Sequence, residues 1–512
     1  MRRPLVVVGD VLLDRDVCGR AERLSPDAPV PVVRHTGVLE RPGGAGLAAW
    51  LAATDGPEVV LVTALVDDAA GARLRALLGP RVRLLALPAA GGTEVKTRVR
   101  ADGASVVRLD SGGPARPQPP PGRLAGEVAE ALRGAGALLV SDYGHGLVEL
   151  PLLRQLLATA VRAVPTVWDP HPRGAVPQPG ARLVTPNAAE ARALAAGLNG
   201  AAAGPADGWA GPPSGGGLAG VRAQAEALVA RWGVTAVAVT LGGRGALLSF
   251  GAGDPVLAPA RPVAGGDTCG AGDRFAAAAT VALAAGALPS EAVVAAVAAA
   301  SDFVAAGGVA TLPGTGSGAG AVGRRRGDRA AVPGRGDAAT GGPDGGLAEA
   351  LARVAAVRAR GGTVVATGGC FDLLHAGHVT TLAGARSLGD CLVVCLNSDA
   401  SVRRLKGPGR PVVPAEDRRR VLSALASVDA VVVFAEDTPE AVLARLRPDV
   451  WVKGGDYAGG VVPEGAAVRS WGGEVVVLPY LAGRSTTRLI DDAGLRAGTE
   501  ARHTEEGERI RR

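Results

Sequence analysis

The sequence predicts an α/β protein built from two successive domains. Its 512 residues exceed what one ordinary domain holds, and 47% of them are apolar, enough for two sizeable cores. Short β-branched runs alternate with helical patterns in both halves, as in parallel sheets covered by helices. Residues 312–346, almost free of large apolar side chains, separate the two alternating regions. We expect a first domain over 1–312, a flexible Gly/Pro/Arg-rich linker over 313–346, a second domain over 347–491 and a charged tail over 492–512.

In the first domain, short runs rich in Val, Leu and Thr predict strands: LVVVGD, VVLVTALV, ALLVSDYG, TVWDP, RLVTPN and AVAVTLG. EVAEALRG and AQAEALVARWG predict helices, which gives a mainly parallel sheet with helices on both faces. The stretch TEVKTRVRADGASVVRLDSG predicts instead a hairpin with its turn at Asp102 and Gly103, so a small β appendage accompanies the sheet. Residues 197–217, rich in Gly and Pro, interrupt the periodicity and predict a surface loop.

The same alternation predicts the second domain. TVVAT, CLVVCLN, DAVVVF, DVWVKGG and GEVVVLPY predict strands, and HVTTLAGARSLG, AEDRRRVLSALASV and TPEAVLARLR predict helices between them. Strands and helices that alternate at this spacing form a parallel sheet. We therefore expect a compact Rossmann-like domain that shares its fold class with the first.

The charge balance favours a small anionic ligand over a nucleic acid. A formal net charge of +6 suits phosphorylated compounds, nucleic acids or anionic membranes. The basic residues are scattered, apart from GRRRGDR at 323–329 and the mixed tail, and no basic stripe has aromatic residues beside it. We expect no nucleic acid partner. The non-enzymatic alternative is a protein that binds DNA through the arginines at 324–326, which salt-dependent retention on DNA would support.

Cysteine content and hydropathy favour the cytoplasm. Five cysteines, an odd number in a long chain, do not suit a disulfide framework. The N-terminal MRRPLVVVGD has only a short apolar run and predicts a first strand rather than a signal peptide. The alanine-rich run at 276–288 is shorter than the roughly 18 residues of a membrane span. We expect a cytoplasmic protein without a membrane partner.

A glycine-rich turn before a long apolar helix predicts an anion-binding site in the first domain. In DTCGAGDRFAAAATVALAAG, the N–H groups of Gly270, Ala271 and Gly272 lie at the helix N-terminus, where the helix dipole favours a phosphate. Asp273 lies in the same turn, and a carboxylate beside an anion hole suits a base that takes the proton of an attacking hydroxyl. Short motifs of this kind also occur by chance. The alternative is therefore that Asp273 only caps the helix.

Further motifs give this region a resemblance to the ribokinase-like sugar kinases over about residues 4–312. They are GDVLLD at 9–14, PGGAG at 42–46, TPNAAE at 185–190 and VTLGGRGALL at 239–248. The resemblance implies a ribokinase-like fold, ATP as a substrate and Mg²⁺ as a cofactor. It also implies that Asp273 is the catalytic base. The same resemblance implies that ATP and its phosphates are bound by Asn187, Glu190 and the turn of Gly270, Ala271 and Gly272. Asn187 and Glu190 would also hold Mg²⁺ indirectly. The sugar would be bound by Asp14, Gly43 and Gly44.

Two segments narrow the resemblance to the kinase half of the bifunctional heptose enzymes. RLSPDAPVPVV at 23–33 and KTRVRADGASVVRLD at 96–110 are similar to that family, whose kinase half phosphorylates the anomeric hydroxyl of a manno-heptose 7-phosphate. Three positions depart from the family: Leu47 replaces a usual Asn, His145 replaces a common Lys, and DPHPRG at 169–174 replaces a shorter turn. We interpret His145 as a surface loop histidine rather than a catalytic one.

A second phosphate-binding pattern, TGGCFDLLHAGHV at 367–379, follows the first predicted strand of the second domain. The strand is expected to end at Thr367 and His378 to begin a helix, so that His375 and His378 lie beside a nucleotide phosphate. A metal site would need a third ligand, which no nearby cluster supplies. The pattern resembles the HxGH signature of nucleotidyltransferases. A sugar phosphate needs no base to attack an NTP, so the site has to supply positive charge and hydrogen-bond donors, for which His375, His378, Lys406 and Thr486 are suitable.

The segment from about 347 to 490 resembles the heptose 1-phosphate adenylyltransferase half of the same family. It carries LNSDASVRRLKGPGRPVVPAEDRRRVL, VKGGDY and GRSTT. The related glycerol-phosphate cytidylyltransferases share HxGH and the final STT. The resemblance implies catalytic roles for His375 and His378 and nucleotide binding by Cys370, Phe371, Asp372, Lys406, Ser485 and Thr486.

Together the two resemblances imply a bifunctional enzyme of ADP-heptose synthesis. The first half would phosphorylate the anomeric oxygen, and the second would use that phosphate to attack ATP. A separate phosphatase has to remove the C7 phosphate between the two steps, because no third site is evident. We also expect a homodimer. The alternative is an active nucleotidyltransferase for another sugar or polyol phosphate, joined to a degenerate, regulatory kinase-like half.

Overall fold

The chain folds into two compact units. The first comprises Met1–Ala252 and Ala260–Ala330, and the second comprises Gly253–Pro259 and Ala331–Arg512. The computed structural model describes residues 3–102, 104–113, 115–198, 217–263, 266–312, 346–455 and 460–479.

Three segments predicted from composition lie outside these described residues, wholly or in large part. They are the linker at 313–346, apart from Gly346, most of the surface loop at 197–217, and the tail at 492–512. What the sequence predicts for these three segments therefore remains a prediction.

The first unit alternates strands and helices along the chain. Its strands are β1 (Leu5–Gly9), β2 (Val11–Leu24), β3 (Pro31–Gly44), β4 (Val59–Leu65), β5 (Arg83–Ala90), β6 (Val95–Ala101), β7 (Ala104–Ser111), β8 (Arg116–Pro117), β9 (Ala137–Ser141), β10 (Thr166–Asp169), β11 (Leu183–Val184), β12 (Val237–Thr240) and β13 (Ala246–Ser249). Its helices are α1 (Ala45–Thr54), α2 (Ala69–Leu78), α3 (Gly122–Gly134), α4 (Pro151–Ala163), α5 (Ala188–Leu198), α6 (Leu218–Trp232), α7 (Ala271–Ala284) and α8 (Pro289–Ala306).

A mainly parallel sheet runs through the first unit, which confirms the predicted fold class. The strand order is β8-β5-β4-β1-β9-β10-β11-β12-β13, with β8 and β13 antiparallel to their neighbours. β1 and β4 are buried along their whole length, as expected for parallel strands covered on both faces. The strand order reverses between β1 and β9, and such a switch point leaves a crevice at the carboxyl ends of the strands.

The β appendage is a separate four-stranded sheet of order β3-β2-β6-β7. β6 and β7 pair in antiparallel fashion with Ala101 opposite Ala104, which confirms the predicted hairpin. Asp102 adopts φ 52° at its turn, a conformation that Asp tolerates better than most residues. The long antiparallel pair of β2 and β3 was not predicted. This sheet projects from the core of the unit, because β7 and the ends of β2 and β3 are exposed.

The second unit is a parallel sheet with flanking helices, which confirms the Rossmann-like prediction. Its strands are β14 (Val256–Ala258), β15 (Val364–Gly369), β16 (Cys391–Asn397), β17 (Ala430–Phe434), β18 (Val450–Gly454) and β19 (Glu474–Leu478). Its helices are α9 (Leu347–Ala359), α10 (Ala376–Arg386), α11 (Asp399–Lys406), α12 (Ala415–Ser423), α13 (Glu440–Leu446) and α14 (Gly465–Ser470). The order β17-β16-β15-β18-β19-β14 reverses between β15 and β18, the switch point of this sheet.

The first domain was expected to run unbroken from 1 to 312. The segment Gly253–Pro259 instead folds with the second unit. Its strand β14 pairs in parallel with β19, Val256 opposite Val477. Asp254 is 3% exposed, and its carboxylate accepts hydrogen bonds from Val462 N and Arg469 Nη1, each at 2.7 Å. A strand of three residues carries too little pattern to reveal from sequence which sheet it joins.

We expect Asp254→Ala to destabilise the second unit by about 2–3 kcal/mol, because it leaves a buried backbone donor and a guanidinium without their charged acceptor. Urea unfolding followed by loss of nucleotidyl transfer measures the effect. Asp437→Ala is the matched control, since Asp437 pairs with Arg404 on the exposed surface of the same unit and such pairs contribute roughly 0–1 kcal/mol. Equal urea midpoints for the two variants would contradict the assignment.

Helix α8 is the one helix among the described residues that is long and apolar enough to span a membrane, with 18 residues and a mean hydropathy of 1.3. In the structure it packs against α7 and buries Ala292, Val293, Ala296 and Val297. One face of α8 therefore packs into the first unit.

Candidate active sites

The glycine-rich turn of the first unit lies at the N-terminus of α7, as predicted. Gly270 precedes the helix with φ 77°, a left-handed conformation that favours glycine, and a Cβ there would lie 2.8 Å from Leu47 Cδ2. The N–H group of Ala271 donates to the carbonyl of Thr268 at 3.1 Å. Because that donor is engaged within the protein, the predicted anion hole rests on Gly270 and Gly272.

Asp273 is buried in the first turn of α7 and carries a perturbed carboxyl group. It is 9% exposed, and burial raises its pKa from the ordinary 3.8 to about 7. The Tyr143 hydroxyl donates a hydrogen bond to Oδ1 at 3.0 Å, which lowers the pKa. The charge of the Asp14 carboxylate raises the pKa further. A carboxylate with a pKa near neutrality suits a general base at physiological pH. The N-cap of α7 is Gly270, so Asp273 does not hold the capping position.

Asn187 and Glu190 form a reciprocal pair at the start of α5. Asn187 Oδ1 accepts from the backbone N–H of Glu190 at 3.0 Å, and Glu190 Oε2 accepts from the N–H of Asn187 at 2.8 Å. This is the arrangement of a capping box, which fixes both side chains at the helix N-terminus. Burial raises the pKa of Glu190 to about 7. The pair is therefore held in place before any nucleotide binds.

A third carboxyl group, Asp169 at the end of β10, completes an acidic cluster with Glu190 and Asp273. Its Oδ1 accepts from Thr185 Oγ1 at 2.8 Å. Burial raises the pKa of Asp169 well above its ordinary value, and the charges of Glu190 and Asp273 raise it further. Such mutual repulsion is relieved by a cation. In the described part of the chain, no group of three or more His, Cys, Asp and Glu side chains is arranged to hold a metal ion.

The expected sugar-binding residues come together at the junction of β2, β3 and α1. Asp14 is 5% exposed, and its Oδ1 accepts from Arg98 Nη1 at 2.5 Å. A Cβ on Gly43 would lie 2.7 Å from Asp14 Oδ2, and one on Gly44, at φ 59°, would lie 2.6 Å from the carbonyl of Asp10. Both glycines are required for the turn to approach these groups. Their role at the sugar stays a prediction.

The interpretation of His145 as a surface histidine is wrong. Its side chain is 10% exposed, and its Nε2 lies 3.1 Å from Glu94 Oε2. Its backbone N–H donates to Asp10 Oδ2 at 3.1 Å. Burial lowers the pKa of His145, but Glu94 and the Asp10 charge outweigh it and raise the pKa overall. The glycines on both sides of His145 suggested an exposed loop. In the structure this turn lies beside β1, which is buried.

The HxGH motif of the second unit forms the start of α10, which follows β15 at the switch point of the sheet. His375 is the N-cap of α10, and its Nδ1 accepts from the backbone N–H of Gly377 at 3.1 Å. The helix begins at Ala376, so the expectation that His378 begins it is wrong, as is the expected end of the strand at Thr367, since β15 runs to Gly369. The two imidazoles stack with their centroids 3.9 Å apart, which confirms that they share one side of the turn.

His378 presents a buried nitrogen to this site. Its Nδ1 is buried without a hydrogen-bond partner among the described residues. Burial lowers the pKa of His378 from 6.5 to about 4, and the neighbouring His375 lowers it further. The ring of Phe371 lies 5.2 Å away, centroid to centroid.

Asp372 joins the HxGH turn to the loop that follows Lys406. Its Oδ1 accepts from the N–H groups of Val412 and Val413, at 2.8 and 3.0 Å, and its Oδ2 accepts from Arg410 Nε at 2.5 Å. Asp372 therefore positions this loop in the structure, and its predicted contact with nucleotide would be additional to that role.

A buried arginine holds the same region from the other side. Arg418, 2% exposed on α12, donates from Nη1 to the carbonyls of Cys370 and Asn397, at 2.6 and 2.9 Å, and from Nη2 to Asp399 Oδ1 at 2.7 Å. It thereby fixes Cys370, next to Phe371, which adopts φ 44°. A left-handed conformation at a bulky residue is strained and is characteristic of functional sites.

The remaining predicted nucleotide-binding residues are placed only in part. Cys370 lies with Sγ 4.0 Å from Asn397 Oδ1. Burial raises the pKa of its thiol, and the nearby charge of Lys406, exposed at the end of α11, opposes that rise in pKa. Ser485 and Thr486 lie outside the described residues.

Comparison with known proteins finds two family models and several relatives of this chain. A model of the pfkB family of carbohydrate kinases matches residues 147–314, and a cytidylyltransferase-like model matches 366–477. Bifunctional protein HldE of Streptomyces coelicolor is 54% identical over 494 residues, which cover 96% of this chain and 96% of that protein. The chain belongs to the HldE family. The HldE protein of Gluconacetobacter diazotrophicus is 38% identical and covers 95% of this chain. Among solved structures, Arabidopsis thaliana ribokinase with ribose and ATP covers 59% of this chain and 93% of its own, with 22% identity and a TM-score of 0.44.

Membership of the HldE family makes the chain a sugar kinase joined to a nucleotidyltransferase, which confirms the predicted enzyme class. Three side chains in its two sites were not predicted from sequence: Tyr143, Asp169 and Arg418. Tyr143 and Asp169 stand in motifs that depart from or flank the family pattern, SDYGHG and DPHPRG. Arg418 is the first of three consecutive arginines, and only the fold distinguishes it from the other two.

Proposed function

We propose that this HldE family member catalyses two steps of ADP-heptose synthesis. In the first, ATP phosphorylates the anomeric C1 hydroxyl of a heptose 7-phosphate. In the second, heptose 1-phosphate attacks ATP and gives ADP-heptose and pyrophosphate. The observation that carries the proposal is the pairing, within one HldE-like chain, of a buried Asp273 beside an anion hole with a stacked HxGH histidine pair.

In the kinase step, Asp273 is the proposed general base. Its carboxylate accepts the proton of the C1 hydroxyl while that oxygen forms a bond to the γ-phosphorus of ATP and ADP leaves. The N–H groups at the start of α7 would stabilise the charge on the transferred phosphoryl group. Asp14, Gly43 and Gly44 would bind the sugar. With its pKa near 7, Asp273 is half ionised at neutral pH, so kinase activity should fall as pH falls below about 7.

Mg²⁺ is the proposed cofactor of the kinase step. The fit rests on the crowded carboxyl groups of Asp169, Glu190 and Asp273, whose pKa values are raised by burial. When bound, the ion would neutralise charge on the ATP phosphates. Asn187 and Glu190 would act on it indirectly, and their reciprocal hydrogen bonds keep them at the start of α5.

In the transferase step, His375 and His378 are the proposed catalytic residues. An oxygen of the sugar 1-phosphate attacks the α-phosphorus of ATP, and the bond to pyrophosphate breaks. No proton has to be removed from the nucleophile, so the site acts by donating hydrogen bonds and positive charge to the phosphates. Lys406, Ser485 and Thr486 would supply further donors, and Cys370, Phe371 and Asp372 would shape the nucleotide site.

The two proposed reactions require a further enzyme that acts between them. The kinase product carries phosphates at C1 and C7, and ADP-heptose requires removal of the second, so a separate phosphatase must act between the two reactions. We further propose that the protein is a cytoplasmic homodimer that binds neither nucleic acid nor membrane.

Mass analysis of products tests the function. With heptose 7-phosphate and ATP, the expected products are heptose bisphosphate and ADP. Adding a phosphatase specific for the C7 phosphate should give ADP-heptose and pyrophosphate. With supplied heptose 1-phosphate, CTP, GTP or UTP in place of ATP should give no nucleotide sugar. Transfer without sugar phosphorylation would favour the alternative of a degenerate kinase half. A nucleotide sugar formed from another NTP would overturn the base assignment.

A further inference from the structure

Tyr143 connects the switch point of the first unit's sheet to the proposed base. It follows β9, and its backbone N–H donates to Asp10 Oδ2 at 3.0 Å, the oxygen that also accepts from His145 N. Asp10 itself follows β1, so the backbone of Tyr143 is fixed where the strand order reverses. At the other end of the side chain, the hydroxyl donates to Asp273 Oδ1 at 3.0 Å.

The aromatic ring between these two anchors is also held in place. A Cβ on Gly44 would lie 3.3 Å from Tyr143 Cε2, which shows how closely the glycine backbone approaches the ring. On the β appendage, Lys96 Nζ lies 5.9 Å from the ring centroid. The hydroxyl therefore reaches Asp273 from a side chain with little freedom to move, so the direction of the hydrogen bond is set by the fold.

The direction of proton donation is fixed by the charges around the pair. Burial and the charges of Asp273 and Asp169 raise the pKa of Tyr143 well above its ordinary value, so the phenol stays protonated and donates. The titratable and charged groups that act on Tyr143 or Asp273 come from several elements: Asp14 on β2, Lys96 on β6, Asp169 on β10 and Glu190 on α5. Tyr143 cannot itself be the base, because it holds its proton more firmly than Asp273 does.

We propose that Tyr143 is a positioning residue for phosphoryl transfer: its hydroxyl engages Asp273 Oδ1 and orients the carboxylate so that Oδ2 takes the proton of the acceptor hydroxyl. The hydrogen bond also stabilises the ionised form of the base, the form that catalysis requires. This inference rests on the proposed kinase function of Asp273. It adds that the base is tuned by one named donor rather than by burial alone.

The first test is the pH profile of Tyr143→Phe, which keeps the ring and removes only the hydroxyl. The acidic limb of kinase kcat/KM should move to higher pH by about one to two units, because a hydrogen bond to a charged group is lost. On the high-pH plateau, kcat should still be lower by roughly tenfold while KM for the sugar changes little. Nucleotidyl transfer by the same chain is the internal control and should not change. An unmoved limb with kcat within twofold of the parent would overturn the proposal.

A second measurement needs no substrate and so separates this inference from the proposed function. Asp273 has a folded pKa near 7 against an ordinary 3.8, so its stabilising contribution is complete below about pH 4 and is lost by about pH 7. In Tyr143→Phe the loss should continue above pH 7, because the folded pKa is higher still. In an Asp273→Asn background the same substitution should produce no such extra decline. Identical pH dependence of unfolding in parent and Tyr143→Phe would sink the inference even if the kinase is active.

Discussion

Asp273→Asn is expected to abolish sugar phosphorylation and to leave nucleotidyl transfer from supplied sugar 1-phosphate intact. The substitution preserves the shape of the side chain and its ability to accept from Tyr143, but an amide cannot take a proton from the acceptor hydroxyl. Loss of a positioned general base typically costs about 10²–10⁴ in rate. Steady-state ADP release with heptose 7-phosphate measures the kinase, and pyrophosphate release with heptose 1-phosphate measures the transferase.

Stability provides the control for this variant. Asp273 is buried with a raised pKa, so the parent is less stable at pH 8 than it would be with a neutral side chain there. Asp273→Asn should therefore unfold at a higher temperature than the parent at pH 8, and the gain should shrink towards pH 4. A variant that is folded and more stable at pH 8 yet inactive as a kinase identifies a catalytic role. Kinase activity within a few-fold of the parent would refute it.

The candidate kinase site was predictable from sequence where the backbone alone sets the positions of its residues. A glycine-rich turn before an apolar helix specifies the position of Gly270 and Asp273 whatever surrounds them, and the structure places them so. Tyr143 could not be predicted to reach Asp273, because 130 residues separate them and only the sheet order brings the ends of β9 and α7 together. Long-range pairing leaves no periodic signal in the sequence.

The β appendage shows a different limit. β6 and β7 were predicted because alternating residues flank an Asp-Gly turn. β2 and β3 carry many charged residues, and parts of both are exposed, so neither run shows the apolar alternation by which a strand is recognised. Yet buried ion pairs, such as Arg41 with Asp16 at 2.8 Å, hold these strands together. Charged residues that pair within a sheet look, in sequence, like a solvated loop.

In the second site the pair of histidines was predictable and their division of roles was not. Ser, Thr, Asp and Asn are the usual N-cap residues, so a histidine at that position gives no signal of helix initiation. The structure assigns capping to His375, through Nδ1 and the N–H of Gly377, and leaves His378 in the first turn. A capping role for His378 therefore has no basis in the structure, because His375 holds the N-cap position.

His378→Ala is expected to remove nucleotidyl transfer and spare the kinase. Charge grows on the oxygens of the α-phosphate as the sugar phosphate attacks and pyrophosphate departs. A preorganised imidazole donor that serves this charge is typically worth about 3–4 kcal/mol, or roughly 10²–10³ in rate. Because the interaction strengthens in the transition state, kcat should fall more than KM rises. Burial lowers the pKa of His378 from 6.5 to about 4, so the ring is expected to be neutral at pH 7 before the nucleotide binds.

His375→Asn is the companion variant that separates capping from chemistry. Asparagine is a good N-cap, so it should preserve α10 while removing the second imidazole. His378→Ala should leave the cap intact as well, since the N–H of Gly377 donates to His375. It should also relieve the acid sensitivity of the parent: a histidine with a pKa lowered from 6.5 to about 4 destabilises the fold progressively as pH falls through that window. A His378→Ala chain that unfolds at a lower temperature at pH 7 yet retains the parent kcat would show that the ring serves packing and not catalysis.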